Sequence, residues 1–266
     1  MRHVLVTGAA GGIGRAIATR FAAQGATLTL ADRERAPLDD LAAHLTAAAT
    51  GVLTADLTDA DAPAELVGRA WADQGPVDVL VNAAGVYPSL DMAELTAEAW
   101  DRLFAVNLRA PVLATAAYAR LAAARGEGGT IVNISSGSAL RARPGGGPYA
   151  SSKAALEMAT RAAALELGAH GIRVNAVSPG FVPVDSACNP VSEEYAAAIG
   201  ANPLGRPGSP EDIARAVCWI AGPEAAWITG EILRVDGGSS TGALHLPRIW
   251  PPATPTPADA TKGQPA

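Results

Sequence analysis

The chain reads as an α/β protein built on a doubly wound, Rossmann-like parallel sheet of about seven strands with helices on both faces. Two observations predict this. Short apolar runs alternate with longer alanine-rich helical segments as far as residue 235, and a glycine-rich turn follows the first apolar run directly. Strand–helix alternation implies right-handed crossovers, which cover both faces of a parallel sheet. The 266 residues, 49% hydrophobic, suffice for one large domain that buries roughly 70–75% of its unfolded surface. We read residues 1–246 as that single domain and 247–266 as a proline-rich tail.

Taken in order, strands are expected at His3–Thr7, Thr27–Ala31, Val52–Ala55, Val77–Asn82, Thr130–Ile134, Arg173–Val177 and Ile232–Val235. Most are apolar throughout, as central parallel strands buried on two faces should be. Helices are expected near 12–24, 35–48, 60–73, 97–124, 149–169 and 210–221. The last has clear punctuation: Ser209 can cap it, Pro210 suits its first turn, and Asp212 sets an acid near its positive end. Gly222-Pro223 then offers a stop. Six prolines from Pro247 onward disfavour regular structure, so Pro251–Ala266 reads as extended or disordered. Leu244–Trp250 is more apolar and could dock on the body or on a neighbouring subunit.

A net charge of −6 argues against a general binder of nucleic acid or anionic membrane. No run approaches the ~20 apolar residues that span a bilayer, and the N-terminal residues have no signal-peptide plan. Cys188 and Cys218 suggest no disulfide framework, so a reducing cytoplasm is the simplest compartment. His3, His44, His170 and His245 are scattered singly, and no metal site is expected.

Chemistry concentrates in Tyr149-Ala150-Ser151-Ser152-Lys153, with Ser136 thirteen residues before the tyrosine. Positions i and i+4 share one helix face, so phenol and ammonium project together. A nearby ammonium favours the phenolate, and a tyrosine so tuned exchanges protons with an alcohol or carbonyl near neutral pH. The turn Thr7-Gly8-Ala9-Ala10-Gly11-Gly12-Ile13-Gly14 lies between a strand and a helix, where its glycines let backbone approach a pyrophosphate. Asp32 ends the second strand, where a carboxylate accepts hydrogen bonds from the adenosine ribose and repels a 2′-phosphate. This favours NAD over NADP. Arg33 could receive such a phosphate; beside Asp32 we prefer a solvated or adenine-stacked side chain.

With these features, Asn82-Ala83-Ala84-Gly85 and Asn107 in this order, residues 2–242 resemble the short-chain dehydrogenase/reductase family. The resemblance assigns Gly8, Gly12, Ile13 and Gly14 to the phosphate turn, and Asp56 and Leu57 to the adenine side. Asn82, Ala83 and Gly85 become the strand end beneath the cofactor, and Pro179-Gly180, followed by Val182, the turn beside the nicotinamide. Asn107, Ser136, Tyr149 and Lys153 match the catalytic tetrad, Tyr149 and Lys153 also touching the cofactor. The family often has threonine four residues after Gly180; this chain has Val184, and Ser186 is a candidate substitute.

The resulting expectation is an NAD-dependent oxidoreductase that interconverts a secondary alcohol and a ketone. An NADPH-dependent 3-oxoacyl or polyketide-type ketoreductase is the alternative enzyme, and a dinucleotide-sensing regulator without turnover the alternative class. Leu90, Met92, Leu140, Phe181, Val182 and residues 184–204 should border the substrate pocket. Arg141 and Arg143 would either attract an acidic group or belong to a solvated loop. The resemblance also implies a homotetramer in which the helices near 97–124 and 149–169 pair with their copies, with Leu121, Leu156 and Leu165 as candidate contacts. Leu244–Trp250 could pack across another subunit interface near a pocket.

Overall fold

A computed structural model of the chain describes residues 2–47, 49–184, 193–244 and 246. Seven strands run β1 His3–Thr7, β2 Thr27–Asp32, β3 Ala49–Thr54, β4 Val79–Asn82, β5 Gly129–Ile134, β6 Ile172–Pro179 and β7 Ile232–Val235. They form one sheet in the order β3-β2-β1-β4-β5-β6-β7, and every neighbouring pair is parallel. The helices are α1 Gly12–Ala23, α2 Arg35–His44, α3 Ala62–Gln74, α4 Ala97–Phe104, α5 Ala110–Arg125, α6 Gly147–Leu167, α7 Glu193–Gly200 and α8 Pro210–Ala221.

Side chains alternate across the sheet and so divide the core in two. Val4 and Val6 of β1 face the layer containing Ile17 and Phe21 of α1 and Val217 and Ile220 of α8. Leu5, between them, faces Leu66 and Val67 of α3 and Ala114 and Tyr118 of α5. Each large side chain so buried contributes about 1.5–3 kcal/mol. The winding reverses at β1, flanked by β2 and β4. A crevice at the carboxyl ends of the strands is therefore expected there.

Several element bounds depart from the sequence reading. The helix expected over 35–48 ends at His44, and β3 begins at Ala49, three residues early. Alanine-rich sequence favours helix locally, but pairing of Ala49 with Thr27 of β2 draws this stretch into the sheet. The helix expected over 97–124 is interrupted by a π-helical turn, Ala105–Arg109. The segment after Pro183 contains α7, which its sequence did not announce. At α8 the reading holds: Ser209 Oγ accepts from the Asp212 N–H, and Asp212 accepts from the Ser209 N–H, a complete capping box. No described helix is long and apolar enough to cross a membrane.

Candidate active site

The carboxyl ends of the strands open into a cavity of about 1620 Å³ whose wall includes Tyr149, Lys153 and Ser136. Tyr149 and Lys153 stand on the first turns of α6, one helical turn apart, with Lys153 Nζ 5.9 Å from the centre of the tyrosine ring. Ser136 follows β5, and its Oγ accepts from the Ser138 N–H at 3.1 Å, capping the 3-10 turn Gly137–Ala139. The serine is thus held by backbone rather than by a rotating side-chain partner.

Lys153 is only 4% exposed, and its Nζ donates to Ile134 O at 2.8 Å. Burial pushes its pKa down from 10.5 to about 8. Near neutral pH it therefore remains mostly ammonium, beside Tyr149. Asn107 lies in the π-helical turn, a local distortion that often marks functional positions. Its Oδ1 accepts from the Val86 N–H at 2.8 Å, and its Nδ2 donates to Val86 O at 2.7 Å and Ser152 Oγ at 3.2 Å. Asn107 so ties the strand-end segment to α6 beside Lys153. A Cβ on Gly85 would lie 3.5 Å from both Asn107 Oδ1 and Lys153 Nζ.

The glycine turn has the shape a dinucleotide requires. Gly8 has a φ of +68°, and a Cβ there would lie 2.6 Å from the Ala84 backbone. A Cβ on Gly14 would lie 2.1 Å from Gly8 O. Among the described residues, no side chain caps the N-terminus of α1, and the first N–H groups of such a helix suit a pyrophosphate. Thr7 Oγ1 accepts from the Ala83 and Ala84 N–H groups, binding β1 to the segment after Asn82. Asn82 itself donates to Asn133 Oδ1 at 2.9 Å. These residues fit a nicotinamide dinucleotide.

At the outer end of the turn, Asp32 Oδ2 accepts from the Ala10 N–H at 3.0 Å and Oδ1 from the Arg33 N–H at 2.7 Å. Arg33 pairs with Glu34 at 3.2 Å. Hydrogen bonds from the Thr58 N–H and hydroxyl hold Asp56 below the usual carboxylate range, with Arg33 and Arg102 adding smaller attractions. Leu57 packs into the α3–α5 layer. Ile13, Ala83, Gly85, Pro179, Gly180 and Val182 all reach the cavity wall. Val184 reaches it too, and its Cγ1 would lie 2.7 Å from a Cβ on Gly12. An apolar group thus rests on the phosphate turn. Ser186 lies outside the described residues.

Part of the expected pocket is wrong. Phe181 and Val182 line the cavity with Ala196 and Ile199 of α7, but Leu90, Met92 and Leu140 do not. Met92 is 69% exposed and packs toward Gly147. Leu90 is used through its backbone, donating to Gly145 O. The wall is instead made by Tyr87, Pro88 and Ser89, with the Tyr87 ring 6.1 Å from that of Tyr149. The aromatic so close after Gly85 was the available signal. Ser239, Ser240 and Leu244 close another side, so Leu244 serves the cavity of its own chain. Beyond it only Leu246 is described, and the rest of the proposed docking segment lies outside the described residues. Leu156 is 1% exposed within its own subunit and is not available to a neighbour, because α6 turns that face onto its own fold. Leu121 is partly buried in the same way, whereas Leu165 is 85% exposed.

Comparison with known proteins agrees with this geometry. The family model described as enoyl-(acyl carrier protein) reductase matches residues 8–240. The chain is 40% identical over 237 residues to a galactitol 2-dehydrogenase (L-tagatose-forming) of Cereibacter sphaeroides, covering 88% of this chain and 92% of that protein. A double mutant of a Serratia marcescens short-chain dehydrogenase/reductase superposes with a TM-score of 0.82 at 36% identity, over 90% of this chain and 98% of that one. A blue fluorescent protein from a metagenomic library, solved in complex with NADPH, gives 0.81 at 36% identity over the same shares. The chain belongs to the short-chain dehydrogenase/reductase family and is an enzyme acting on CH–OH groups with NAD(P).

Proposed function

We propose that the protein interconverts a secondary alcohol and a ketone with NAD, using Tyr149 as the general acid–base. The observation that carries this reading is the convergence of Tyr149, Lys153 and Ser136 on one cavity that the glycine turn also borders through Ile13. In oxidation, Tyr149 takes the alcohol proton, and Ser136 Oγ donates to the substrate oxygen as charge develops there. Lys153, charged below about pH 8, favours the phenolate and binds the nicotinamide ribose. Asn107 holds Val86 and Ser152 in place around Lys153 and supports a proton relay through water. When bound, NAD supplies the hydride acceptor. In reduction the proton moves the other way.

Asp32 and its surroundings support NAD over NADP. A 2′-phosphate would meet the Asp32 carboxylate, while Arg33, the nearest cation on that segment, is engaged by Glu34 and attracted by Asp56. NADP is the second reading, favoured by the structural relative that holds NADPH. The relative acting on galactitol points to polyols as the first substrates to try. A homotetramer is part of the proposal: Met158 and Leu165 of α6 are 62% and 85% exposed, an apolar strip that pairing with a second α6 would cover. Initial rates over a panel of polyols, simple secondary alcohols and their ketones, with NAD(H) and NADP(H), test the reading. The expected result is turnover with NAD(H) preferred. Absence of turnover across the panel rejects the activity, and preference for NADP(H) rejects the cofactor assignment.

A further inference from the structure

Glu157 is a carboxylate on α6, only 5% exposed, that none of the steps above uses. Burying such a group is costly unless it is paired and hydrogen-bonded. Its Oε1 accepts from Ser135 Oγ at 2.9 Å, and Arg161, one turn further along the helix and half-exposed, lies 4.0 Å from Oε2. Ser135 is buried as well and directly precedes Ser136. Its N–H donates to Val177 O at 2.8 Å, so its backbone is tied to β6 while its side chain is tied to α6. Lys153 makes the neighbouring attachment, its Nζ donating to Ile134 O. The two residues before Ser136 are thus each held by α6, the helix that carries Tyr149. Tyr149, Lys153 and Glu157 follow at four-residue steps along one stripe of that helix.

The proton carrier and the serine that would meet the substrate oxygen belong to different elements, α6 and the chain leaving β5. Their relative placement therefore depends on what locks one element to the other. Asn133 Nδ2 also bonds across this boundary, donating to Thr160 Oγ1 at 2.9 Å, but further back in the strand. Glu157 acts on the residue next to Ser136, and a carboxylate accepts a stronger bond than a neutral group would. We propose that Glu157 is a positioning residue: through Ser135 it fixes Ser136 relative to Tyr149, so that both meet one substrate oxygen. Ser135 and Ser136 line the cavity and Glu157 does not, so it acts without touching substrate. This rests on the alcohol–ketone reading above and adds to it the contact that keeps its two substrate-facing groups in register.

The test uses the full chain, NAD and the compound of the panel above that the wild type turns over fastest, galactitol being tried first. Glu157→Leu and Ser135→Ala remove the two ends of the bond, Glu157→Gln keeps an acceptor, and a double variant joins the first two. For each, kcat, KM and NADH affinity by fluorescence titration are measured at a temperature where circular dichroism shows the protein folded. We expect kcat to fall by about tenfold to a hundredfold in both single deletions, as for a misplacement on the order of 1 Å, with NADH affinity unchanged. The double variant should be no slower than the slower single one, because both delete the same contact. Glu157→Gln should retain more of kcat than Glu157→Leu. A role in stability alone would lower the melting temperature and leave kcat of the folded protein intact, and that result overturns the inference. So do additive losses in the double variant, Glu157→Gln as slow as Glu157→Leu, or a parallel loss of NADH affinity. If only Ser135→Ala folds, its kcat and NADH affinity decide between the same outcomes. A wild type that turns over no compound rejects the alcohol–ketone reading and this role with it; wild-type turnover with unaffected variants rejects this role alone.

Discussion

Replacing Lys153 with Met should stabilise the protein at pH 7 while removing its activity. Burial lowers the Lys153 pKa from 10.5 to about 8, so the folded chain holds this proton less tightly than the unfolded one. At pH 7, below both values, the lysine is charged in both states and the folded state bears the cost of desolvation. That fall corresponds to roughly 3 kcal/mol. Methionine fills similar space without charge. It also forfeits the bond to Ile134 O, a loss of about 1 kcal/mol. The net expectation at pH 7 is therefore a gain of roughly 2 kcal/mol. As pH rises through the folded value the wild-type lysine neutralises and its cost fades; near pH 10 less than about 1 kcal/mol remains. The advantage of the variant should then vanish or reverse. Urea midpoints for both proteins, at pH 7 and pH 10 and at one protomer concentration, measure this. A variant less stable than wild type at pH 7, or a difference that does not change between the two pH values, would refute the reasoning.

Tyr149→Phe keeps the ring and removes the ionisable hydroxyl, so turnover should fall by about 10²–10⁴ with cofactor affinity little changed; near-normal turnover removes Tyr149 from the mechanism. Asp32→Ala should raise the ratio of kcat/KM with NADP over that with NAD, measured on one alcohol, and an unchanged ratio means the carboxylate does not set the preference. Ser209→Ala deletes the Oγ half of the α8 capping box and should cost about 1 kcal/mol in denaturant unfolding. No loss of stability there would mean that Asp212 and Pro210 hold the helix start without it.

The residues that determine the fold class and the centre of the site were legible because their signals are local. Apolar periodicity marks β1, β2 and α1, and the glycine turn between a strand and a helix needs only adjacent residues to be recognised. The four-residue spacing of Tyr149 and Lys153 places them on one face of any helix, whatever it packs against. Tertiary structure decided what local signals leave open. Ala49 joins β3 because β2 offers unpaired backbone beside it, against its own helical preference. Asn107 sits in a π-helical turn whose reward is a set of bonds to Val86 and Ser152, distant in sequence. The lowered pKa of Lys153 comes from burial, which no spacing reveals. The cavity wall was least legible: Tyr87, Arg141 and Ser239 meet only when the carboxyl ends of β4, β5, β6 and β7 line up in that order along the sheet. Strand order in a parallel sheet is set by crossovers and packing across the whole chain, not by the sequence at the point of contact.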